Sequence, residues 1–95
     1  MVGLYTLAMP NLRDLIETGH INEGEQLEWV RPLKGLRHTA VVGKHGVITT
    51  SDGAEHKSPS GAARHFYKKP IDGWSAWKVI RNGKSLAEIR AQFSS

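Results

Sequence analysis

Short turn signals divide this chain into apolar segments of strand length, and this spacing limits the fold more than any other feature. The signals are Lys44-His45-Gly46, Ser51-Asp52-Gly53 and Asn82-Gly83. Strands joined by short turns usually pair with their neighbours in the sequence. The chain is therefore expected to form an antiparallel sheet packed by helices, which is an α+β fold.

Alternation of apolar and polar residues predicts where the strands lie. They cover residues 26–31, 38–43, 47–50, 54–57 and 74–81, with 38–43 and 47–50 forming a hairpin around Lys44-His45-Gly46. In the last strand, the period of two places Trp77 and Val79 on one face. The same period places Trp74, Ala76 and Ile80 on the opposite face.

Three short helices complete the predicted fold. The first lies between Pro10 and Gly19, the second covers residues 58–69, and the third begins at a capping box of Ser85 and Glu88. Their apolar faces contain Leu12, Leu15 and Ile16; Ala62, Ala63 and Phe66; and Leu86, Ile89 and Phe93. The expected architecture is a small antiparallel sheet of about four to five strands packed by three short helices, in a single domain over residues 1–95.

Composition excludes several classes of protein. The hydrophobic content of 39% and the charged content of 23% are typical of a globular chain. The absence of cysteine rules out disulfides and zinc ribbons and favours the cytoplasm, with nucleoid association in a bacterium. No apolar run approaches the roughly 18 residues that span a bilayer. Residues 1–9 lack the basic start and the cleavage site of a signal peptide.

The charged residues are distributed unevenly along the chain. Residues 1–30 contain one Arg and five Asp or Glu, a net charge of −4, whereas residues 31–95 contain twelve Lys or Arg and four Asp or Glu, a net charge of +8. Such a separation suggests that one face meets a polyanion. A surface that serves only solubility is the alternative interpretation.

The segment 58–77 combines features typical of nucleic-acid binding. Ser58 as N-cap and Pro59 at the first helical position leave backbone N–H groups and the hydroxyls of Ser58 and Ser60 at a helix end that suits an anion. Arg64 and Lys68 follow at i,i+4. No acidic residue lies between His56 and Ile71. An Asp72-Gly73 turn then leads to Trp74 and Trp77, and an exposed tryptophan can stack on a base.

Each of these residues also has a purely structural interpretation. Ser58 could serve only as a helix cap, and Arg64 and Lys68 could be a solvated helix face. Trp77 is expected in the core, while core and contact roles are equally open for Trp74. The five histidines lack metal-ligand spacing, and neither a G-x-S-x-G elbow nor a phosphate-binding glycine loop is present. The sequence therefore predicts no metal, no cofactor and no catalytic apparatus.

Several blocks together resemble the RAMA domain, the restriction enzyme–adenine methylase associated family. The blocks are Leu12-Arg13-Asp14-Leu15-Ile16-Glu17-Thr18-Gly19, Ala40 ahead of His45-Gly46, Ser58-Pro59-Ser60-Gly61-Ala62-Ala63, Gly73-Trp74 with Trp77, and Leu86-Ala87-Glu88-Ile89-Arg90. The resemblance extends over about residues 6–93. The S-P-S and G-W-x-x-W blocks are specific in combination and weak singly.

The resemblance implies a non-catalytic module that recognises duplex DNA, with modified DNA as a candidate ligand, in restriction-modification or defence systems. It also implies a fused or associated methyltransferase or nuclease. The family's DNA-contacting positions fall on Ser58, Trp74 and Arg90. Asp72 replaces the family's Asn: it keeps the turn and loses the amide that can bind adenine.

With the basic segment, the candidate DNA-binding residues are Lys57, Ser58, Ser60, Arg64, Lys68, Asp72, Trp74 and Arg90. The alternative function is a protein-interaction module in a defence or chromatin-associated complex, docking through Trp29, Trp74 and Phe66. The sequence leaves open whether the chain is a free-standing protein or a domain of a longer one, and it leaves the oligomeric state open.

Overall fold

Within residues 10–94, five antiparallel strands and four α-helices make up the fold, which confirms the α+β prediction. The structure, a computed structural model, describes residues 10–94. Residues 1–9 and residue 95 of the predicted domain lie outside this range, and so do the first residues of the RAMA-like region that begins at about residue 6. The strands are β1 (Gln26–Arg31), β2 (Leu36–Val42), β3 (Ile48–Thr50), β4 (Glu55–His56) and β5 (Lys78–Val79). The helices are α1 (Leu12–Glu17), α2 (Pro59–Phe66), α3 (Gly73–Ala76) and α4 (Leu86–Ser94).

The sheet has the order β4-β3-β2-β1-β5 and one buried face. Leu27 of β1 lies opposite both Ala40 of β2 and Val79 of β5, and Ala40 lies opposite Thr50 of β3. These four side chains are buried and form one row across the sheet. The alternate residues point to the other face, where large apolar side chains such as Val41 are exposed.

The helices pack on the buried face and close the core. Trp77 is completely buried there, which confirms its expected core position. The other residues of this core are Leu12, Leu15, Ile21, Leu27, Ala40, Val42, Ile48, Ala62, Val79, Leu86 and Ile89. The apolar stripe expected for α4 is confirmed at Leu86 and Ile89, whereas Phe93 is 36% exposed and its ring lies 5.3 Å from that of His20.

Polar caps fix the ends of the helices. At α4 the Ser85 N–H donates to Glu88 Oε1 at 2.8 Å, and the Glu88 N–H donates to Ser85 Oγ at 3.1 Å. This reciprocal pair is the predicted capping box. At α1 the same arrangement joins Asn11 and Asp14. The chain leaves α1 through Gly19, whose φ of +80° lies in the left-handed region that favours glycine.

The second helix is shorter than its prediction over residues 58–69. It ends at Phe66, because Tyr67 adopts an extended conformation (φ −138°, ψ 107°). Pro70 disfavours a helical conformation at Lys69, so the helix could not have continued to that residue. The expected i,i+4 pair of Arg64 and Lys68 on one helix face is therefore wrong, because Lys68 lies beyond the helix.

The strand predicted over residues 74–81 is wrong in its first half, which forms α3 instead. The Asp72 carboxylate accepts from the Trp74 N–H at 3.0 Å and from the Ser75 hydroxyl at 2.9 Å, so it caps one helical turn. Only Lys78–Val79 pairs as a strand. The expected orientation of Trp77 and Val79 nevertheless holds, since both are buried.

Candidate nucleic-acid interface

The first turns of α2 and α3 pack against each other, backbone to backbone. The Gly73 N–H donates to Ser60 Oγ at 3.0 Å, and the Trp77 indole N–H donates to the Pro59 carbonyl at 3.1 Å. A Cβ on Gly73 would lie 2.1 Å from the Pro59 carbonyl oxygen, far inside van der Waals contact. The contact therefore requires glycine at position 73. We call these four residues, Pro59, Ser60, Gly73 and Trp77, the α2–α3 joint.

The joint changes the chemistry of the expected anion site at the start of α2. Ser58 is the N-cap, as predicted, and its hydroxyl accepts from the Gly61 N–H at 3.0 Å. Pro59 has no N–H, and the Ser60 nitrogen lies against Gly73. The backbone N–H groups at this helix end are thus largely occupied. The Ser58 hydroxyl accepts from Gly61 and the Ser60 hydroxyl accepts from Gly73, and each hydroxyl retains its own hydrogen for donation.

Trp74 and Arg90, two further candidate residues, meet on the other side of α3. The Arg90 guanidinium lies 3.9 Å from the centre of the Trp74 ring, a cation–π contact that ties α4 to α3. Both side chains are half-buried, and Trp74 packs against the core. Asp72, two residues before Trp74, is exposed. Its Oδ1 accepts from the Trp74 N–H, which is the expected Asx turn.

Four exposed cations accompany α2: Lys57, Arg64, Lys68 and Lys69. None of them forms an ion pair with another residue of the described chain. Lys57 precedes the helix and Lys68 follows it, so the two are separated by a helix about 12 Å long. We call these four residues the α2 cations.

Two other parts of the fold lie next to the α2 cations. Lys57 lines a hollow of about 380 Å³ together with Arg13 and His45. At the other end, Lys68 directly follows Tyr67, whose ring centre lies 5.0 Å from the Arg31 guanidinium. The hollow beside Lys57 and the contact of Arg31 with Tyr67 could not be predicted from spacing, because both arise where turns return distant segments of the chain to α2.

The three aromatic residues of the alternative docking patch lie in two places. The ring of Phe66 stacks on that of His38 at 4.0 Å, and the ring of Trp29 lies 5.3 Å from the same histidine. Trp74 instead lies under Arg90. The expected patch is therefore divided between a Trp29–His38–Phe66 cluster and the α3–α4 contact.

A polar cluster beside α2 holds its charged groups in internal contacts. The Asp52 carboxylate pairs with His65 and accepts from the Thr50 hydroxyl at 2.6 Å, and these bonds hold the pKa of Asp52 well below its usual range. Burial, aided by the charge of His65, lowers the pKa of His56. Burial, aided by the charge of Arg31, likewise lowers the pKa of His38. The last two histidines are thus kept uncharged near neutral pH.

Within residues 10–94, no group of three or more His, Asp or Glu side chains is arranged to hold a metal ion. None of the helices in the same range is both long and apolar enough to cross a membrane.

Comparison with protein families decides where the chain belongs. The family model described as Restriction Enzyme Adenine Methylase Associated matches residues 8–95, nearly the whole chain. The chain belongs to the RAMA family. A comparison with curated proteins finds no match. The family description associates RAMA domains with restriction enzymes and adenine methylases, and it names no catalytic role for the domain.

The RAMA blocks of this chain coincide with packing contacts. Ser60, Gly73 and Trp77, from the S-P-S and G-W-x-x-W blocks, form the α2–α3 joint. Gly46 of the His45-Gly46 block is buried against α1, where a Cβ would lie 2.7 Å from the Arg13 nitrogen. These blocks are therefore recognisable because the fold requires them, and the exposed α2 cations lie between and beside them.

Proposed function

We propose that this RAMA domain is a non-catalytic module that binds duplex DNA through the α2 cations. The observation that carries the proposal is that Lys57, Arg64, Lys68 and Lys69 are all exposed and have no carboxylate partner among the described residues. Elsewhere, three exposed arginines are paired with glutamates. A group of unpaired cations around one helix, with no acidic residue between them, is the electrostatic feature that attracts a phosphate backbone.

The proposed contacts divide into positioning and reading roles. Arg64 and the lysines bind phosphates and fix the orientation of the domain on the duplex. These phosphate contacts carry no sequence information. The hydroxyl hydrogens of Ser58 and Ser60 donate to a phosphate beside them, while both oxygens remain engaged in the fold. The Trp74–Arg90 pair lies near a base or a sugar, with Asp72 next to it.

The biological setting of the proposal follows the family. A domain associated with restriction enzymes and adenine methylases would place a nuclease or a methyltransferase on its DNA substrate. The partners proposed are therefore duplex DNA and a fused or associated enzyme of this kind, with the chemistry carried by that enzyme. The proposed location is the cytoplasm, where chromosomal and invading DNA meet such systems.

Salt dependence tests the proposal. A labelled duplex is titrated with the domain at several salt concentrations, and binding is followed by fluorescence anisotropy. Three to five phosphate contacts predict a slope of log K against log salt of roughly −3 to −4. A flat response would contradict the proposal and favour the alternative, docking to a protein through the Trp29–His38–Phe66 cluster.

Recognition of modified DNA needs a separate comparison. The same titration is repeated on matched duplexes that contain either adenine or N6-methyladenine at one position. A reader of the modification binds the methylated duplex more tightly at every salt concentration, because phosphate contacts are identical in the two duplexes. Equal affinities would limit the function to binding without discrimination of this modification.

A further inference from the structure

The hairpin of β1 and β2 extends beyond the rest of the sheet. Strand β5 pairs only with Leu27 and Glu28 of β1, and β3 pairs only with residues 40–42 of β2. Among residues 10–94, no third strand pairs with residues 29–39 at either edge, so these residues form a two-stranded ribbon. We call this segment the β-ribbon. Three further residues of β1 carry its tip roughly 10 Å past the last residue paired with β5.

The tip of the β-ribbon presents one apolar side chain to solvent. A 3₁₀ turn over Pro32–Lys34 joins the strands, and Leu33 within it is 101% exposed. Gly35 adopts a φ of +64°, and its N–H donates to the Pro32 carbonyl at 3.1 Å. Proline and this closed turn restrict the backbone, so the leucine is held outward by a defined structure.

The core-side face of the β-ribbon is braced against the end of α2. The Arg31 guanidinium lies 5.1 Å from the Trp29 ring centre and 5.0 Å from that of Tyr67. Closer to the sheet, Trp29, His38 and Phe66 form the aromatic cluster described above. These contacts hold the β-ribbon against the end of α2, so its tip is supported when it meets a ligand.

The charge of the β-ribbon favours a polyanionic ligand. Arg31, Lys34 and Arg37 are its charged residues, and residues 29–39 contain no Asp or Glu. Arg37 is paired with Glu28, whereas Arg31 and Lys34 have no carboxylate partner among the described residues. Arg31 contacts Tyr67, the residue that directly precedes Lys68 and Lys69 of the α2 cations.

We propose that the β-ribbon enters the minor groove of duplex DNA and that Leu33 inserts as an apolar wedge between two base pairs, which bends the duplex. Proteins that bend DNA in this way combine an apolar residue that opens a base step with flanking cations that bind the phosphates. The β-ribbon supplies both features within five residues. This proposal rests on the proposed DNA-binding function and adds a bend of about 20–90° to it.

An apolar tip could instead dock into a protein. The cations on both sides of Leu33 would then have to meet acidic residues of the partner. Duplex DNA already carries anionic groups along both edges of the minor groove, and the same cationic surface leads to the α2 cations. The observed charge distribution therefore favours DNA as the ligand of the tip.

Fluorescence energy transfer measures the bend. A 20–30-base-pair duplex that contains TA and CA steps, because these steps kink most easily, is labelled at both ends and saturated with the wild-type domain, Leu33→Ala or Ile80→Ala. Ile80→Ala is the matched control, because it removes the same number of atoms from a half-exposed apolar side chain that lies outside the β-ribbon. Binding is measured on the same samples by anisotropy, and folding by melting temperature.

We expect the wild type and Ile80→Ala to raise energy transfer, and Leu33→Ala to bind with at most about tenfold lower affinity while leaving energy transfer at the level of free DNA. Binding by the wild type without a change in energy transfer would overturn the wedge and leave the DNA-binding function standing, with the tip assigned to a protein partner. Undiminished bending by Leu33→Ala would also overturn it. Absence of wild-type binding would overturn both proposals.

Discussion

The α2–α3 joint and the α2 cations both lie at α2 or directly beside it, but they differ in burial and in their contacts. The joint is buried, is held by two hydrogen bonds at 3.0 and 3.1 Å, and tolerates no Cβ at Gly73. The α2 cations are exposed and have no ion-pair partner among the described residues. The joint therefore holds the fold together, whereas the proposed phosphate contacts come mainly from cations that make no ion pair within the described fold.

The largest effect is expected from Gly73→Ala, which tests the joint directly. The new methyl group would meet the Pro59 carbonyl, and backbone on both sides leaves no flexible side chain to move away. We expect a loss of about 4 kcal/mol or more in the free energy of unfolding, measured by urea denaturation. Gly83→Ala is the control: its φ is +72° with open space around it, so it should cost only about 1–2 kcal/mol. Equal losses for the two variants would contradict the close contact at the joint.

Trp77→Ala and Trp74→Ala should separate the core from the proposed site. Trp77 is fully buried, so its truncation should destabilise the domain by about 3–5 kcal/mol. Trp74 is half-buried, so Trp74→Ala should remain folded at room temperature, with weaker binding to a labelled duplex. Unfolding of similar size in both variants would assign Trp74 to the core alone.

The sequence predicted the parts of this fold that local patterns control. Alternation located β1 at residues 26–31, and the capping box located the start of α4. Sequence patterns failed to predict α3, because a single helical turn is too short to show a periodic pattern and depends on the Asp72 cap. It also could not reveal that Ser60 bonds to Gly73, since that bond joins residues thirteen positions apart.

The candidate site could likewise be predicted only where a local pattern in the sequence marks it. The absence of acidic residues from 57 to 70 is visible in the sequence, and the structure leaves Lys57, Arg64 and Lys68 exposed. The contact of Trp74 with Arg90 and the projection of the β-ribbon are tertiary features. No spacing in the sequence encodes them.

Asp72→Asn should have a smaller effect, on the proposed site alone. Asn caps a helix about as well as Asp, so the Asx turn and α3 should persist and the melting temperature should change little. Removal of the exposed negative charge should tighten binding to duplex DNA by up to about 1 kcal/mol at low salt, and the gain should fade at high salt. Weaker binding by a folded Asn variant would place the carboxylate in a contact that this protein needs.

Acidification should destabilise the domain gradually. Burial lowers the pKa of His38 and of His56, so the unfolded chain takes up protons near pH 6.5 that the folded protein does not. Stability should therefore fall as the pH drops below about 6.5, which urea midpoints at pH 7.5 and 5.5 would measure. His56→Gln should reduce this difference. A rise in stability over the same interval would contradict the buried, uncharged state of these histidines.

The double variant Arg64→Ala/Lys68→Ala tests most directly whether the α2 cations bind DNA without supporting the fold. Both side chains are exposed, so the free energy of unfolding should stay within about 0.5 kcal/mol of wild type. The slope of log K against log salt should become less negative by about 2, one unit for each lost phosphate contact, for every duplex sequence. Lys78→Ala/Lys84→Ala removes the same charge from two exposed lysines that form no ion pair within residues 10–94, at and beside β5, at the sheet edge opposite β4, and should leave the slope near the wild-type value. An unchanged slope in the folded Arg64→Ala/Lys68→Ala protein would contradict the account.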